Sequence, residues 1–215
     1  MDLELNSQQI RVLGCLIEKQ LSTPEYYPLT LSALVNACNQ KSNREPVMSL
    51  SDSDVLDAIR TLINLNLGRE SRMPGARVVK YEHKLSNTLT QQFDFSQAEL
   101  AILSVLFVRG PQTVGELRTR TTRMFQFDSL ADVDKTLQNL AENQAGPYVK
   151  ALARQPGRRE IRYCHLFSPF DESAFVVAAE NQPSPSQTRS DEIAALREEV
   201  AELRKEVQEL KELIL

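Results

Sequence analysis

The stretch Pro74-Gly75-Ala76-Arg77-Val78-Val79-Lys80-Tyr81-Glu82-His83 recurs 82 residues later as Pro156-Gly157-Arg158-Arg159-Glu160-Ile161-Arg162-Tyr163-Cys164-His165. In both copies Pro-Gly marks a turn, basic residues follow it, and Tyr-x-His closes the run. Side chains alternate between the two faces of a strand, so Val79, Tyr81 and His83 share one face, as do Ile161, Tyr163 and His165. Each copy predicts a β-hairpin with a Pro-Gly tip.

Three further blocks precede each hairpin in the same order. Leu5-Asn6-Ser7-Gln8-Gln9-Ile10-Arg11-Val12-Leu13 matches Phe95-Ser96-Gln97-Ala98-Glu99-Leu100-Ala101-Ile102-Leu103, each an amphipathic helix behind a capping Asn or Ser. Pro28-Leu29-Thr30-Leu31-Ser32-Ala33-Leu34 matches Pro111-Gln112-Thr113-Val114-Gly115-Glu116-Leu117, with Thr as the cap of a short second helix. Asp54 to Leu62 matches Asp132 to Leu140, with one apolar stripe on Val55, Ile59 and Leu62 and another on Val133, Leu137 and Leu140. The offsets of the four blocks, 90, 83, 78 and 82 residues, differ only by loop-sized insertions. Three helices and a basic-tipped hairpin make a winged helix, a helix-turn-helix core extended by a wing. The predicted fold class is therefore mainly α with small β-hairpin wings (α+β). Two tandem winged-helix domains occupy residues 1–88 and 89–170, each with a small core of its own and packed on the other across the Thr88 to Asp94 junction.

Beyond residue 170 the composition changes. Residues 171–190 read as a linker, with Asn181 to Ser190 rich in Pro, Ser, Gln and Asn. Residues 191–215 carry a heptad with Ile193, Val200, Val207 and Ile214 at a, and Leu196, Leu203 and Leu210 at d. β-Branched a residues with Leu at d favour a parallel two-stranded coil. Glu192, Glu199 and Glu206 at g would face Arg197, Arg204 and Lys211 at e of a parallel partner, whereas an antiparallel pairing would set like charges together. The expectation is a parallel homodimer. A solvated single helix is the alternative, and with no polar residue at a, a trimer or a partner coil stays open.

The formal charge of −4 speaks at first against nucleic acid. Its distribution does not. Residues 1–90 hold ten Lys and Arg against ten Asp and Glu, residues 91–170 ten against eight, and residues 171–215 five against eleven, so the acidity sits in the tail. Within the repeats the cations cluster. Arg69, Arg72, Arg77 and Lys80 fall on the first wing, Arg154, Arg158, Arg159 and Arg162 on the second, and Arg118, Arg120 and Arg123 on the second helix of the second repeat. Such clusters suit phosphate contacts. The third helices oppose this reading: Asp52, Asp54 and Asp57 stand against Arg60, and Asp128, Asp132, Asp134 and Glu142 against Lys135, where a major-groove helix would offer cations or amides. First-turn acids also simply complement the helix dipole. The polar loop Asn39 to Pro46 reads either as a contact loop, with Lys41 and Arg44 on phosphate or a partner carboxylate and Asn43 hydrogen-bonding, or as a capping network before the Ser51 cap.

Other functions find little support. The phosphate loop, the dinucleotide turn, the nucleophile elbow and the H-E-x-x-H helix are all missing from the sequence, and His83 and His165 stand without ligand partners at metal spacing. The expectation is no enzyme activity, no catalytic residue, no cofactor and no metal. Cys15, Cys38 and Cys164 are odd in number and scattered, which suits a reducing cytoplasm. The longest apolar stretch, Leu100 to Val108, is about half of what a bilayer span of about 20 residues requires, so no membrane partner is expected.

Four motifs, Gly14-Cys15-Leu16-Ile17-Glu18-Lys19-Gln20, Ala37-Cys38-Asn39-Gln40-Lys41-Ser42-Asn43-Arg44-Glu45-Pro46-Val47-Met48, Gly115-Glu116-Leu117-Arg118-Thr119-Arg120 and Arg158-Arg159-Glu160-x-Arg162-Tyr163-x-His165-Leu166-Phe167, resemble the YceH-like family of bacterial proteins, a domain of unknown function. The resemblance covers about residues 5–170. It implies a tandem winged-helix fold in a bacterial cytosolic protein, and brings no activity, substrate or catalytic residue with it. Two functions remain. One is a DNA-binding, regulator-like dimer, favoured by the arginine-rich wings and placed first. The other is a protein-interaction module, favoured by the acidic third helices, whose winged helices are docking surfaces as in accessory subunits of bacterial chromosome-condensation complexes.

Overall fold

Polar caps start the helices. Asn6, Ser51, Ser96, Thr113 and Ser129 each accept from the backbone N–H three residues on, while the side chain of that third residue (Gln9, Asp54, Glu99, Glu116 or Asp132) accepts from the cap's own N–H. Each capping box satisfies two amides that a helix leaves without internal partners. Thr30 caps its helix by accepting from Ala33 N–H alone. The computed structural model describes residues 3–72, 78–86, 93–154 and 160–169.

The first repeat runs α1 (Ser7–Ser22), a 3-10 turn (Pro24–Tyr26), β1 (Leu29–Thr30), α2 (Leu31–Cys38), α3 (Asp52–Asn64), β2 (Gly68–Ser71) and β3 (Lys80–His83). The second runs α4 (Gln97–Arg109), β4 (Gln112–Thr113), α5 (Val114–Thr121), α6 (Leu130–Ala141), β5 (Val149–Ala151) and β6 (Arg162–His165). The fold is thus mixed helix and small antiparallel sheet. Both sheets have three strands in equivalent order, β1-β3-β2 and β4-β6-β5. The registers repeat as well: Tyr81 lies between Leu29 and Glu70, and Tyr163 between Gln112 and Ala151. Tyr81 and His83 are buried, as the alternation predicts. In β6 the buried residue is Cys164, and Tyr163 is only half-buried; Gln112 stands across from it where Leu29 stands across from Tyr81.

All described residues belong to one compact unit. The small core expected for each repeat is continuous with that of the other, through α1 and α4. Every residue from Ile10 to Ile17 is buried, and every residue from Leu100 to Val108. A helix buried all round is packed on several sides: each of these meets the elements of its own repeat on one side and the other helix on the opposite side. Their approach depends on Gly14, where an added Cβ would lie 2.7 Å from Phe107 Cβ and 2.8 Å from Val108 Cγ1. Ser104 Oγ donates to Gly14 O at 3.3 Å, Leu5 N–H to Phe167 O at 2.8 Å and Glu45 N–H to Val108 O at 2.8 Å, so polar contacts also join the repeats across the apolar seam. Phe93, Phe95, Tyr148 and Phe167 form an aromatic cluster beside it, with Phe95 edge-on to Tyr148 at a centroid distance of 4.7 Å. Gly110, at φ 70°, ends α4 in a conformation that suits glycine.

The hairpin tips, with Arg77, Arg158 and Arg159, lie outside the described residues. So do the 88/89 boundary, the linker and the whole heptad, including Ile193, Leu196, Val200, Leu203, Val207, Leu210 and Ile214.

Candidate functional site

The cations nominated from sequence fall into three groups. The first is internal. Arg44, expected as a contact on phosphate or a partner carboxylate, has a fully buried side chain. It sets Nη2 2.5 Å and Nη1 3.1 Å from the two oxygens of Glu18, and donates to Ala37 O and Asn43 O. Its donors fasten the loop between α2 and α3 onto α1, so Arg44 leaves the set of surface contacts. The same loop is tied elsewhere by Asn39, which accepts from Leu50 N–H at 2.7 Å and donates to Leu50 O at 2.8 Å. Asn43, at φ 61°, accepts from Arg109 of the second repeat. Lys41, the third of the nominated loop residues, is exposed.

The second group is neutralised on the surface. Arg69 Nε lies 2.6 Å from Glu82 on the neighbouring strand, and Arg72 pairs with Glu70 at 3.0 Å. Arg120 and Arg162 converge on Glu116, with N···O distances of 3.6 and 3.1 Å, and Arg162 also donates to Pro111 O at 2.7 Å. Glu116 is at once the capping-box residue of α5 and the counter-ion of two arginines, so half of the positive charge of that corner is cancelled. The third group is exposed: Arg118, which reaches back to Phe127 O and Asp128 O, together with Arg123 and Arg154.

The third helices also separate into parts. Asp54 and Asp132 accept from the caps Ser51 and Ser129, and those bonds hold the Asp54 carboxyl below its ordinary range. They have a local structural task. Asp52 and Asp134 are exposed, and exposed Asp57 pairs with Arg60 at 3.5 Å. Beside α6 lies a cavity of about 350 Å³ lined by Phe125, Phe127, Asp128, Asp132 and Lys135, with the rings of Phe125 and Phe127 packed edge to face and Leu130 half exposed nearby in sequence.

A second cavity, of about 390 Å³, opens where the start of α1, the Glu45–Met48 stretch, the end of α4 and the residues after β6 meet. Arg11 and His165 line it, and sequence reading missed both: Arg11 sits one position from an apolar stripe and looks solvent-facing, and His165 looks like an ordinary strand residue. Arg11 is 1% exposed. Burial lowers its pKa, yet a guanidinium stays charged at neutral pH. Burial also takes His83 and His165 down to about 4, so both rings are neutral at pH 7. Next to Arg11, the contact with Cys15 and burial push the Cys38 thiol far above its ordinary value, which keeps it protonated.

Among the described residues no three His, Cys, Asp or Glu gather into a metal site, and no helix is long and apolar enough to cross a membrane. The family model described as "Protein of unknown function, DUF480" matches residues 5–158, well over half of the chain. The chain belongs to the DUF480 or UPF0502 family, the YceH-like proteins. A UPF0502 protein of Aliivibrio fischeri strain ES114 is 50% identical over 207 residues, covering 96% of this chain and 94% of that protein. The UPF0502 protein of Serratia proteamaculans is 45% identical over 202 residues, covering 92% and 94%. The UPF0502 protein YceH of Escherichia fergusonii is 45% identical over 183 residues, covering 85% of each. The resemblance seen in the four motifs is thus a family relationship, and this UPF0502 chain aligns with its relatives over nearly their whole length.

Proposed function

We infer that this UPF0502 chain is a non-enzymatic, cytoplasmic tandem winged-helix protein that docks on another protein through its third helices, α3 and α6. The helix, strand, helix, helix, strand, strand order of each repeat and the middle position of the last strand in each sheet support the winged-helix reading. The observation that carries the function is that five of the nominated cations, Arg44, Arg69, Arg72, Arg120 and Arg162, are paired with carboxylates of the same chain. Phosphate binding draws on uncompensated positive charge, and a neutral pair supplies little field. The exposed carboxylates of α3 and α6 would oppose a major-groove approach. Beside α6, Asp128 and Asp132 stand in the wall of an aromatic-lined cavity, which suits a partner segment bearing a basic residue and one apolar anchor.

The test is a photoreactive amino acid placed at Gln138, on the exposed face of α6, in bacteria expressing the full chain. A discrete, nuclease-resistant protein adduct that disappears with Asp134→Lys and Leu130→Ser is expected. A nuclease-sensitive adduct, or duplex binding whose affinity falls steeply with salt, overturns docking in favour of DNA. Exposed Arg118, Arg123 and Arg154 are what favours that second reading.

The heptad supports a parallel homodimer, with Glu192, Glu199 and Glu206 facing Arg197, Arg204 and Lys211 of the partner. Sedimentation of the full chain should give twice the chain mass of 24.3 kDa, and Leu203→Pro should give the monomer. A monomeric full chain sinks the dimer.

A further inference from the structure

The cavity at the junction of the two repeats contains a buried cation without a counter-ion. Arg11 donates through Nη1 to Cys38 O at 3.0 Å and through Nη2 to Pro46 O at 2.6 Å, and its Nε has no partner. Among the described residues no carboxylate lies within ion-pairing distance of it, and the nearby Glu18 is bound to Arg44. A buried, uncompensated charge costs several kcal/mol. Carbonyl dipoles offset part of that, and an anion in the adjoining cavity would offset more. His165, lining the same cavity, likewise has a buried Nδ1 with no partner, while its ring stands edge-on to Phe107 at 5.0 Å. Two orphaned polar atoms, each shut off from solvent, on residues that line one cavity are uncommon, since buried polar atoms are nearly always hydrogen-bonded.

We propose that this cavity is a binding site for a small organic monocarboxylate. A carboxylate matches the guanidinium of Arg11, and its second oxygen can accept from the His165 ring in the tautomer protonated at Nδ1. The first turn of α1 lines the cavity through Ser7, and its helix dipole favours the same sign of charge. Ile10, Met48 and Phe107 provide an apolar wall for the body of the acid, and the volume lies at the small end of ordinary ligand sites. Glu45 lines the cavity too. Its charge disfavours a second carboxylate or a phosphate dianion, and so selects a monoanion. The site is built from both repeats and is independent of the docking face on α6, so either proposal can fail alone.

The experiment is a titration of the 15N-labelled full chain followed on the side-chain Nε–H signal of Arg11, assigned by its loss in Arg11→Lys. Sodium benzoate and sodium 4-methylpentanoate are the probes, with benzyl alcohol and inorganic phosphate as controls. At least one carboxylate should move the Arg11 signal saturably with a dissociation constant at or below about 1 mM, and the controls should not. Met48→Trp, which fills the cavity without touching Arg11 chemistry, should weaken that binding at least about tenfold while leaving the spectrum of the folded chain otherwise intact. No saturable shift with either acid overturns the proposal, and an equal response to phosphate overturns the carboxylate class.

Discussion

Glu18→Ala is expected to lower the unfolding free energy by about 3 kcal/mol, at the lower end of the roughly 3–5 kcal/mol typical of breaking a buried ion pair. The reason is what the substitution leaves behind. Arg44 has no exposed side-chain surface, and its remaining partners are the carbonyls of Ala37 and Asn43. Without Glu18 a full charge stays inside the fold beside Arg11, a second buried cation. The reverse change should cost less. In Arg44→Met the carboxylate of Glu18, 16% exposed and 3.7 Å from Lys19 Nζ, can turn toward water. The double variant Glu18→Ala, Arg44→Met should recover a good part of the loss, since apolar replacement of both partners removes the desolvation cost along with the attraction. Urea unfolding of the four proteins gives the cycle. Equal losses for the two single variants, with simple additivity in the double, would show that the pair contributes nothing as a pair.

That network also shows where sequence reading stops. The caps Asn6, Thr30, Ser51, Ser96, Thr113 and Ser129 are local signals, each acting over three residues, and the structure uses all of them. The internal repeat is equally legible, because the two sheets keep the same strand order and the same tyrosine register. Charge pairing is different. Arg44 meets Glu18 across 26 positions and Arg162 meets Glu116 across 46, and no periodicity connects such residues. A count of arginines near a wing therefore reads as a free cationic patch when the fold has already supplied the anions. Arg11 is concealed for a similar reason. It interrupts an apolar run in α1, and only the packing of α1 against both repeats puts that face inside. The Asn39 to Pro46 loop was legible as two alternatives, and the burial of Arg44 favours the structural one for that residue while leaving Lys41 at the surface.

Acidification from pH 7 to pH 5 is expected to remove about 4 kcal/mol of stability, about 2 kcal/mol for each histidine. Burial lowers the pKa of His83 and of His165 from 6.5 to about 4. The folded state is then the neutral state, while the unfolded chain takes up a proton on each ring as pH falls through 6.5. Between about 6.5 and 4 the unfolded state binds more protons, and stability rises with pH wherever that holds. The contribution is complete above the unfolded value, declines through this window, and changes no further below the folded value. His83 is the tighter case, since its Nε2 meets Gln20, its Nδ1 accepts from Leu85 N–H at 3.2 Å and its own N–H donates to the Tyr27 hydroxyl at 2.8 Å. His165 shares its cavity with Arg11, whose charge further opposes a second cation there. Asp54, whose carboxyl is held below its ordinary range by Ser51, titrates under this window and does not shape it. Unfolding by urea at pH 7 and pH 5 measures the difference. His165→Phe, which keeps a ring against Phe107, should halve the loss, and a pH-independent midpoint in the wild-type chain would mean that both rings protonate as readily in the fold as outside it.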